Sequence, residues 1–247
     1  MSDTFNLLSD GLRRLCHNDP AVERLTAPRI ETILSLLSAY ITEIELYNAA
    51  LSLVGTNDRQ ELISGHILDS LAPLALLIKR VYPCADRETQ VTARPAVADV
   101  GSGAGLPGIP LAIVMPDVEF TLIERKGRRA GFLRNTITAL NLANVFVEEA
   151  EMEKVKPGRF SVVTFRAFRP LEPKIYKKLI RLCGKGACLA AYKGRREKTL
   201  AEASALEAAL PDIAGQWELI PCPVPFLDKE RHLLIIEPVP KTANLRL

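Results

Sequence analysis

The chain has 247 residues, of which 48% are hydrophobic and 25% charged, so it is long and apolar enough to bury a sizeable core. Glycine and proline interrupt its longest uncharged run, residues 100–116, and its N-terminal segment does not resemble a signal peptide. The five cysteines are odd in number and lack CxxC spacing, which argues against a disulfide framework or a zinc site. We therefore expect a cytoplasmic protein without a membrane or metal partner.

The formal net charge is only +3, but it is unevenly distributed along the chain. Residues 1–70 hold five arginines against ten aspartates and glutamates, whereas residues 159–198 hold twelve lysines and arginines against two glutamates. A basic segment of this density indicates a polyanionic partner such as nucleic acid. Lysines and arginines solvated on helix faces would explain the same composition, so both interpretations stay open.

The first ninety residues have the pattern of helices. Apolar residues recur at helical spacing over residues 30–44, and Asp58 with Glu61 three residues later is typical of a capping box that starts another helix. Between these helices, residues 48–55 are predicted to form a connector. We expect residues 1–90 to form a helical cap.

From residue 96 onwards, short apolar strands alternate with helical segments, which is the pattern of a parallel sheet covered by helices. The predicted strands are residues 97–100, 118–124, 145–147, 160–165 and 187–192, and the predicted helices are residues 109–114, 127–141, 171–183 and 196–210. Residues 217–220 and 232–236 should close the sheet as a hairpin pair. The expected fold is an α/β, doubly wound, mostly parallel seven-stranded sheet over residues 91–247, which follows a linker at residues 83–95 and forms one compact unit with the cap.

Near the middle of the chain, a short strand runs into a glycine-rich turn and then into a helix, which is the nucleotide crevice of a doubly wound sheet. Two motifs overlap there. Gly103-x-Gly105-x-x-Gly108 satisfies the dinucleotide fingerprint, whereas Asp99-x-Gly101-x-Gly103-x-Gly105 is typical of methyltransferases that use S-adenosylmethionine. The glycine spacing alone is compatible with either cofactor.

The residues around the turn favour S-adenosylmethionine. Glu124 ends the second strand, 23 residues after Gly101, where an acid accepts hydrogen bonds from ribose hydroxyls. Pro107 and Pro110 supply no N–H at the start of the helix, although a pyrophosphate needs such donors. Both residues also have a purely structural explanation. Glu124 would then be an exposed glutamate at the end of a strand, and Pro107 a proline that the first turn of a helix tolerates.

Three further residues are candidates for cofactor contacts. Asp99 either holds the glycine turn through backbone N–H groups or helps to place the ammonium group of the methionine moiety. Met152 and Glu153 follow the third strand, where a thioether and a carboxylate would fit an adenine ring and its amine. A charged surface loop would explain the same two residues.

The end of the fourth strand and one helix limit the chemistry. Phe165-Arg166 carries neither the Asn/Asp-Pro-Pro-aromatic motif of amine methylation nor a cysteine nucleophile, so a target with a free lone pair, such as guanine N7, fits better. His66 and Asp69 lie one helical turn apart between leucines, and a histidine in such a position is more often a core residue. The sequence shows no hydrolase triad or G-x-S-x-G motif.

Several motifs occur in an order that matches a known family. They are Asn48-x-x-Leu51-x-Leu53, His66-x-x-Asp69-Ser70-Leu71, the stretch Asp99-Val-Gly-Ser-Gly-Ala-Gly-Leu-Pro-Gly-Ile-Pro110, Phe165-Arg166-Ala167-Phe168 and Lys193-Gly194. The chain thereby resembles, over roughly residues 30–240, the bacterial small-subunit (16S) ribosomal RNA guanine-N7 methyltransferases, also called the glucose-inhibited division protein B family. The resemblance implies the Rossmann-like class I methyltransferase fold and methyl transfer from S-adenosylmethionine to one guanine.

The resemblance and the motifs together give the expected site. The cofactor residues are Asp99, Gly101, Gly103, Leu106, Glu124, Met152, Glu153 and Arg166, and Arg166 is also the expected catalytic residue, donating to guanine O6 or to the cofactor carboxylate. Candidates for phosphate contacts are Arg128, Arg129, Lys193, Arg195 and Arg196.

The expected partner is 16S ribosomal RNA or the small ribosomal subunit, bound by a monomer. The alternatives are a methyltransferase for a small molecule or a protein, an NAD-dependent oxidoreductase and, more weakly, a non-catalytic RNA-binding module.

Overall fold

A computed structural model describes residues 2–17, 19–82, 94–167 and 170–238. Within these ranges seven strands form one sheet: β1 Ala96–Val100, β2 Glu119–Ile123, β3 Val145–Glu148, β4 Phe160–Arg166, β5 Cys183–Lys193, β6 Trp217–Pro221 and β7 His232–Ile236. The strand order is β3-β2-β1-β4-β5-β7-β6. The first five strands in the chain run parallel, and β7 pairs antiparallel with both β5 and β6. The predicted mostly parallel sheet with a closing hairpin pair is confirmed.

The helices fall into two groups. Before the sheet lie α1 Ser2–His17, α2 Pro20–Thr26, α3 Ile30–Leu51, α4 Arg59–Leu62, α5 Asp69–Leu71 and α6 Leu74–Val81, with a π-helical turn at Ile63–Leu68. Between the strands lie α7 Gly108–Val114, α8 Gly127–Ala139, α9 Pro173–Ile180 and α10 Arg196–Ala209.

Both faces of the sheet are buried, because neighbouring residues of each central strand point into different apolar clusters. In β1, Val97 joins a cluster formed with α7, α8 and the helices that precede the sheet. Ala98 and Val100 join the other cluster, which includes buried residues of α9 and α10. The chain is therefore doubly wound, and its N-terminal helices extend the layer that α7 and α8 begin.

Two buried tyrosines tie these N-terminal helices to the sheet. The hydroxyl of Tyr40 in α3 donates to the carbonyl oxygen of Ala104 at 2.7 Å, inside the glycine-rich turn. The hydroxyl of Tyr192 in β5 donates to the carbonyl oxygen of Ser70 at 2.7 Å. The helices preceding the sheet thus contact the edge where a cofactor crevice was predicted.

The helical stretch Arg59–Val81 is long and apolar enough to cross a membrane by length and composition, but 61% of its most apolar window is buried inside the protein. Its leucines pack in the same core as α3 and α7. The four described cysteines, Cys16, Cys183, Cys188 and Cys222, are free. Across the described ranges, His, Cys, Asp and Glu form no group of three or more that could hold a metal ion.

Some predicted boundaries differ from the observed ones. The prediction of a connector over residues 48–55 was wrong for its first four residues, because α3 continues to Leu51 and ends only at Ser52, whose φ of 48° is left-handed. The side chain of Asn48 then holds the real connector, donating to the carbonyl of Thr56 and accepting from the N–H of Val54, each at 2.9 Å. One half of the predicted capping box is present, since the carboxylate of Asp58 accepts from the N–H of Glu61 at 2.7 Å, whereas the N–H of Asp58 donates to the hydroxyl of Thr56 at 3.0 Å.

Helix α9 is shorter than the predicted segment 171–183. It begins at Pro173, which needs no N–H acceptor in a first turn, and Cys183 is already paired with Phe160 in the sheet. Of the predicted linker at residues 83–95, only residues 94 and 95 fall among the described residues. Phe168 of the quoted family motif and Cys84 also lie outside them.

Candidate functional site

The glycine-rich turn, residues 101–108 (the glycine turn), connects the carboxyl end of β1 to α7. Gly101, Gly103 and Gly105 have φ angles of 71°, 60° and 93°, a left-handed conformation that other residues adopt only with strain. A β carbon at Gly108 would lie 2.9 Å from the carboxylate of Asp99. The turn therefore needs glycine for its backbone angles at three positions and for close packing at the fourth.

Asp99 holds this turn from inside the protein. Its Oδ2 accepts a hydrogen bond from the hydroxyl of Ser102 at 2.6 Å and one from the N–H of Gly108 at 3.1 Å. Its Oδ1 is buried and receives no hydrogen bond from any described residue. Burial raises the pKa of this carboxyl from 3.8 to about 6. Asp99 thus has the turn-holding contacts that the sequence suggested, together with one free acceptor.

Glu124 joins the end of β2 to the glycine turn. Its Oε2 accepts from the N–H of Gly103 at 3.0 Å, and its Oε1 accepts from the N–H of Lys126 at 2.8 Å. A carboxylate offers about four acceptor sites, so each oxygen keeps capacity for a further donor. Glu124 is buried by the protein yet borders a cavity, which places its remaining acceptors at a ligand-sized space.

That space, the smaller cavity, has a volume of about 370 Å³ and lies at the carboxyl ends of β1 and β2. Its walls include Gly101, Ile123, Glu124, Arg129, Met152 and Glu153. The carboxyl ends of the strands are where open α/β sheets bind ligands. Four of the predicted cofactor residues therefore line one cavity.

The loop that carries Met152 and Glu153 is fixed by two cations from α9 and the residues after it. Arg181 donates from Nη2 to the carbonyl oxygens of Met152 and Glu153, at 2.7 and 2.8 Å. The carboxylate of Glu153 pairs with Lys178, whose ammonium donates the hydrogen bond that lowers the pKa of Glu153. Met152 is nearly buried and gives the cavity an apolar wall. The predicted surface-loop alternative does not describe Met152.

Four predicted cofactor residues, Asp99, Gly103, Leu106 and Arg166, lie outside the described lining of the smaller cavity, and Leu106 is the one that is buried in the apolar core. Its side chain is buried in the apolar core together with Ile109 and Leu133. It does not belong to the described lining of the smaller cavity. Leu106 supports the glycine turn from behind.

A second space, the larger cavity, has a volume of about 1120 Å³ and lies beyond the carboxyl ends of β4 and β5 and the start of β7. Its walls include Phe165, Lys193, Arg195, Lys198, Glu202 and Arg231. Ala167, which follows β4 with a left-handed φ of 48°, lines both cavities. The two spaces therefore adjoin at one residue.

Arg166 belongs to a cluster of four residues from three parts of the chain, here called the arginine cluster: His66, Asp69, Arg166 and Arg231. From Arg166, Nη1 donates to Asp69 Oδ2 at 2.9 Å, and Nη2 donates to His66 Nδ1 at 3.1 Å. The other oxygen of Asp69 accepts from Arg231 Nε at 2.9 Å. Only 13% of the Arg166 side chain and 6% of the Asp69 side chain are exposed. One buried carboxylate thus orients two arginines.

His66 has a defined part in this cluster, whereas the sequence favoured a plain core histidine. It is half-buried in the π-helical turn, and burial together with the nearby guanidinium of Arg166 lowers its pKa to about 4. A neutral imidazole can accept the hydrogen bond from Arg166 Nη2, whereas an imidazolium cannot. The spacing His66-x-x-Asp69 was the available signal, but sequence reasoning did not connect it to Arg166 or Arg231.

The predicted phosphate contacts divide into two pairs and one exception. Arg128 and Arg129, in α8, donate to the carbonyl oxygens of Ala50 and Ser52, at 3.3 and 2.8 Å, and so hold the end of α3. Arg195 and Arg196 are exposed at the start of α10.

Lys193 is the exception. Its side chain is only 13% exposed and forms an ion pair with Glu202, with Nζ and Oε1 2.6 Å apart. The structure therefore places this cation inside the larger cavity, while Arg195 lines the rim of the same cavity.

Comparison with known proteins identifies the family. The profile of the GidB family, described as rRNA small subunit methyltransferase G, matches residues 33–215. Proteins called ribosomal RNA small subunit methyltransferase G are 34% identical to the chain in Treponema denticola and 36% in Treponema pallidum, over 94% and 93% of this chain and 93% and 92% of theirs. The one from Halorhodospira halophila is 39% identical over 78% of this chain and 86% of its own. With its sheet order and glycine turn, the chain has the class I methyltransferase fold and belongs to the GidB family of small-subunit ribosomal RNA methyltransferases.

Proposed function

We propose that the protein transfers the methyl group of S-adenosylmethionine to N7 of a guanine in 16S ribosomal RNA. The observation that carries this proposal is the meeting of two cavities at Ala167, the smaller one beside the glycine turn and the larger one rimmed by cations. Direct transfer needs a donor site and an acceptor site that adjoin. Membership of the GidB family supports ribosomal RNA of the small subunit as the acceptor.

The glycine turn, its buried carboxylate and the Glu124 wall of the smaller cavity fit S-adenosylmethionine better than a dinucleotide. Pro107 and Pro110 remove N–H donors from the start of α7, where a pyrophosphate would need them. The buried Oδ1 of Asp99 lacks a donor, and Glu124 keeps free acceptor sites beside the cavity. Acceptors of this kind suit an ammonium group and ribose hydroxyls, and they would repel phosphate.

Under this proposal the cofactor is held by Asp99, Gly101, Gly103, Leu106, Glu124, Met152, Glu153 and Arg166. The glycines allow close approach of the ligand to the backbone, and Glu124 accepts from the ribose. Met152 packs on the adenine with its thioether, and Leu106 contributes by supporting the turn. Lys178 pairs with the carboxylate of Glu153 and Arg181 binds its carbonyl oxygen, so this residue borders the cofactor with groups that are already held in place.

When bound, S-adenosylmethionine supplies a methyl group on a positively charged sulfur. Guanine N7 already carries a lone pair, so the protein needs no general base. Its contribution is alignment of the two reactants, which is worth at most about 7–11 kcal/mol. Arg166, fixed by Asp69 and His66, keeps its Nε without a partner among the described residues and can donate to guanine O6 or to the cofactor carboxylate.

The RNA lies, in this proposal, across the rim of the larger cavity and the face of α8. Arg195 and Arg196 bind phosphates on one side, and Arg128 and Arg129 do so on the other. Lysines near the same rim would add to an affinity that falls steeply with salt. We further propose that the protein acts as a cytoplasmic monomer in which residues 1–90 cap the methyltransferase domain, residues 91–247.

The experiment that tests the proposal uses the purified protein, S-adenosylmethionine, NAD and a 16S ribosomal RNA transcript. We expect calorimetric binding of S-adenosylmethionine but not of NAD, followed by one new N7-methylguanine in the transcript or in small subunits that lack the modification. Binding of NAD alone would point to the oxidoreductase alternative. Binding of S-adenosylmethionine with methylation of neither RNA nor subunits would favour a small-molecule or protein substrate.

A further inference from the structure

The ion pair between Lys193 and Glu202 lies in the wall of the larger cavity and is held rigidly. The side chains are only 13% and 18% exposed. Lys193 Nζ lies 6.0 Å from the ring centroid of Phe165, and Glu202 Oε1 also accepts the backbone N–H of Leu171. Both charged groups are therefore fixed from two directions, unlike a mobile pair on the surface.

This pair keeps unused hydrogen-bonding capacity. An ammonium group has three donors, and Lys193 uses one of them on Glu202. The second carboxylate oxygen of Glu202, Oε2, receives no hydrogen bond from any described residue. A donor and an acceptor thus stand side by side in a cavity large enough for a nucleobase.

We propose that Lys193 and Glu202 recognise the target guanine by its Watson–Crick edge, an inference that rests on the proposed function. Lys193 donates to O6, and Glu202 accepts from N1–H and the N2 amino group. Adenine offers the opposite pattern at the first two positions, a donor at N6 and an acceptor at N1. The ion pair therefore selects guanine over adenine.

The Watson–Crick edge is available for this purpose because of how N7 must be reached. The major groove of an A-form RNA helix is too deep and narrow for side chains, so N7 is accessible only on an unpaired or flipped base. Such a base no longer uses its Watson–Crick edge for pairing. A protein that methylates N7 can then read the edge that pairing has released.

The register of the sheet places the Lys193–Glu202 pair close to the residue at which the two cavities adjoin. In the β4–β5 pairing, Arg166 lies opposite Tyr192. Ala167, which lines both cavities, and Lys193, which lines the larger one, each follow by one residue, so Lys193 lies beside the point where the two cavities meet. On the purine rim O6 lies between N1 and N7, and a base held by Lys193 at O6 therefore presents N7 next to the ammonium group.

The neighbouring charges show why this pair is not a phosphate site. A carboxylate beside Lys193 would repel a phosphate, and it already neutralises the lysine. Arg195, Lys198 and Lys229 are exposed on the rim and form no ion pair with any described residue. Those rim cations can bind the phosphates that flank the target base, while the buried Lys193–Glu202 pair can bind the base itself.

The test is the variant Glu202→Gln, which keeps an acceptor for the N–H of Leu171 but cannot accept from both N1–H and the amino group in the same way. We expect kcat/KM for the 16S transcript to fall about tenfold or more, with unchanged calorimetric affinity for S-adenosylmethionine. Glu230→Gln is the matched control, because Glu230 lies exposed on the same cavity and accepts a backbone N–H from Arg196. It should retain wild-type kcat/KM.

A readout of base identity separates recognition from a structural role. For the wild type, 5′-GMP should inhibit methylation at roughly tenfold lower concentration than 5′-AMP, and this preference should largely disappear in Glu202→Gln and in Lys193→Met. Equal inhibition of the wild type by both nucleotides, or an unchanged preference in both variants, would overturn the proposal. In both cases, methylation of the 16S transcript by the wild type would still support the proposed function, so the two proposals can fail independently.

Discussion

The glycine turn and the arginine cluster stand at the same edge of the sheet but are built in opposite ways. In the turn, Asp99 binds Ser102 and Gly108, residues at most nine positions away. In the cluster, Asp69 binds Arg166 and Arg231, residues 97 and 162 positions away. The turn takes its shape from its own backbone angles and from Asp99, with Tyr40 and Glu124 adding one contact each. The cluster, in contrast, exists only after the N-terminal helices have packed on the sheet.

The largest effect should follow from removing the carboxylate of the cluster. Asp69→Ala leaves two arginines of low exposure without their shared partner, which should cost roughly 3–5 kcal/mol in the free energy of unfolding. Denaturant unfolding measures this loss, and methylation should fall with it. Equal stability of Asp69→Ala and the wild type would show that the cluster does not hold the helices on the sheet.

The variant Arg166→Ala separates catalysis from stability within the same cluster. It leaves Asp69 paired with Arg231, so it should lower turnover with a smaller loss of stability than Asp69→Ala.

The glycine turn can be tested at its tightest position. Gly108→Ala would bring a β carbon to 2.4 Å from Leu122 and 2.9 Å from Asp99, so we expect it to destabilise by roughly 1–3 kcal/mol. The control is Gly131→Ala in α8, where a β carbon would meet nothing within 4 Å and helix propensity favours alanine by about 1 kcal/mol. Relative to the wild type, the melting temperature should therefore fall for Gly108→Ala and rise for Gly131→Ala. A shift in the same direction would show that close packing is not the reason for Gly108.

The buried carboxyl of the turn should make stability depend on pH. The pKa of Asp99 is about 6 in the folded protein against 3.8 in the unfolded chain, so the folded state binds this proton more tightly. Its contribution to stability is complete below pH 3.8 and is lost as the pH rises through about 6. Asp99→Asn cannot titrate, so relative to the wild type it should gain roughly 2 kcal/mol between pH 4 and pH 7. A difference that stays constant over this range would contradict the raised pKa.

The smallest effect is expected at exposed cations beyond both regions. Arg195→Gln and Arg196→Gln should each weaken RNA binding modestly and reduce the slope of log affinity against log salt by about one. Arg59→Gln serves as the control, since Arg59 is paired with Glu45 and lies outside α8 and α10. Filter binding across a salt series measures the slopes. Identical slopes for all three variants would remove α10 from the RNA-binding face.

The same contrast explains how much of the site could be predicted. The glycine turn and Glu124 follow from residue types at short spacing, because a strand, a turn and the next strand of a parallel sheet must bring them together. Lys193 was predicted as a phosphate contact from its charge alone. Its burial against Glu202 and Phe165 arises from the packing of α10 on the sheet, which charge counting cannot reveal.

By itself, the sequence determined the fold class, the succession of strands and helices along the chain, the family and the position of the crevice beside the glycine turn, because periodicity, glycine spacing and motifs are local or linear properties of the chain. The tertiary structure alone decided where α3 ends, that His66 and Asp69 orient Arg166, and that Lys193 faces Glu202 within a cavity adjoining the crevice. These contacts join residues from different layers of the protein. Their distances depend on packing rather than on spacing in the sequence.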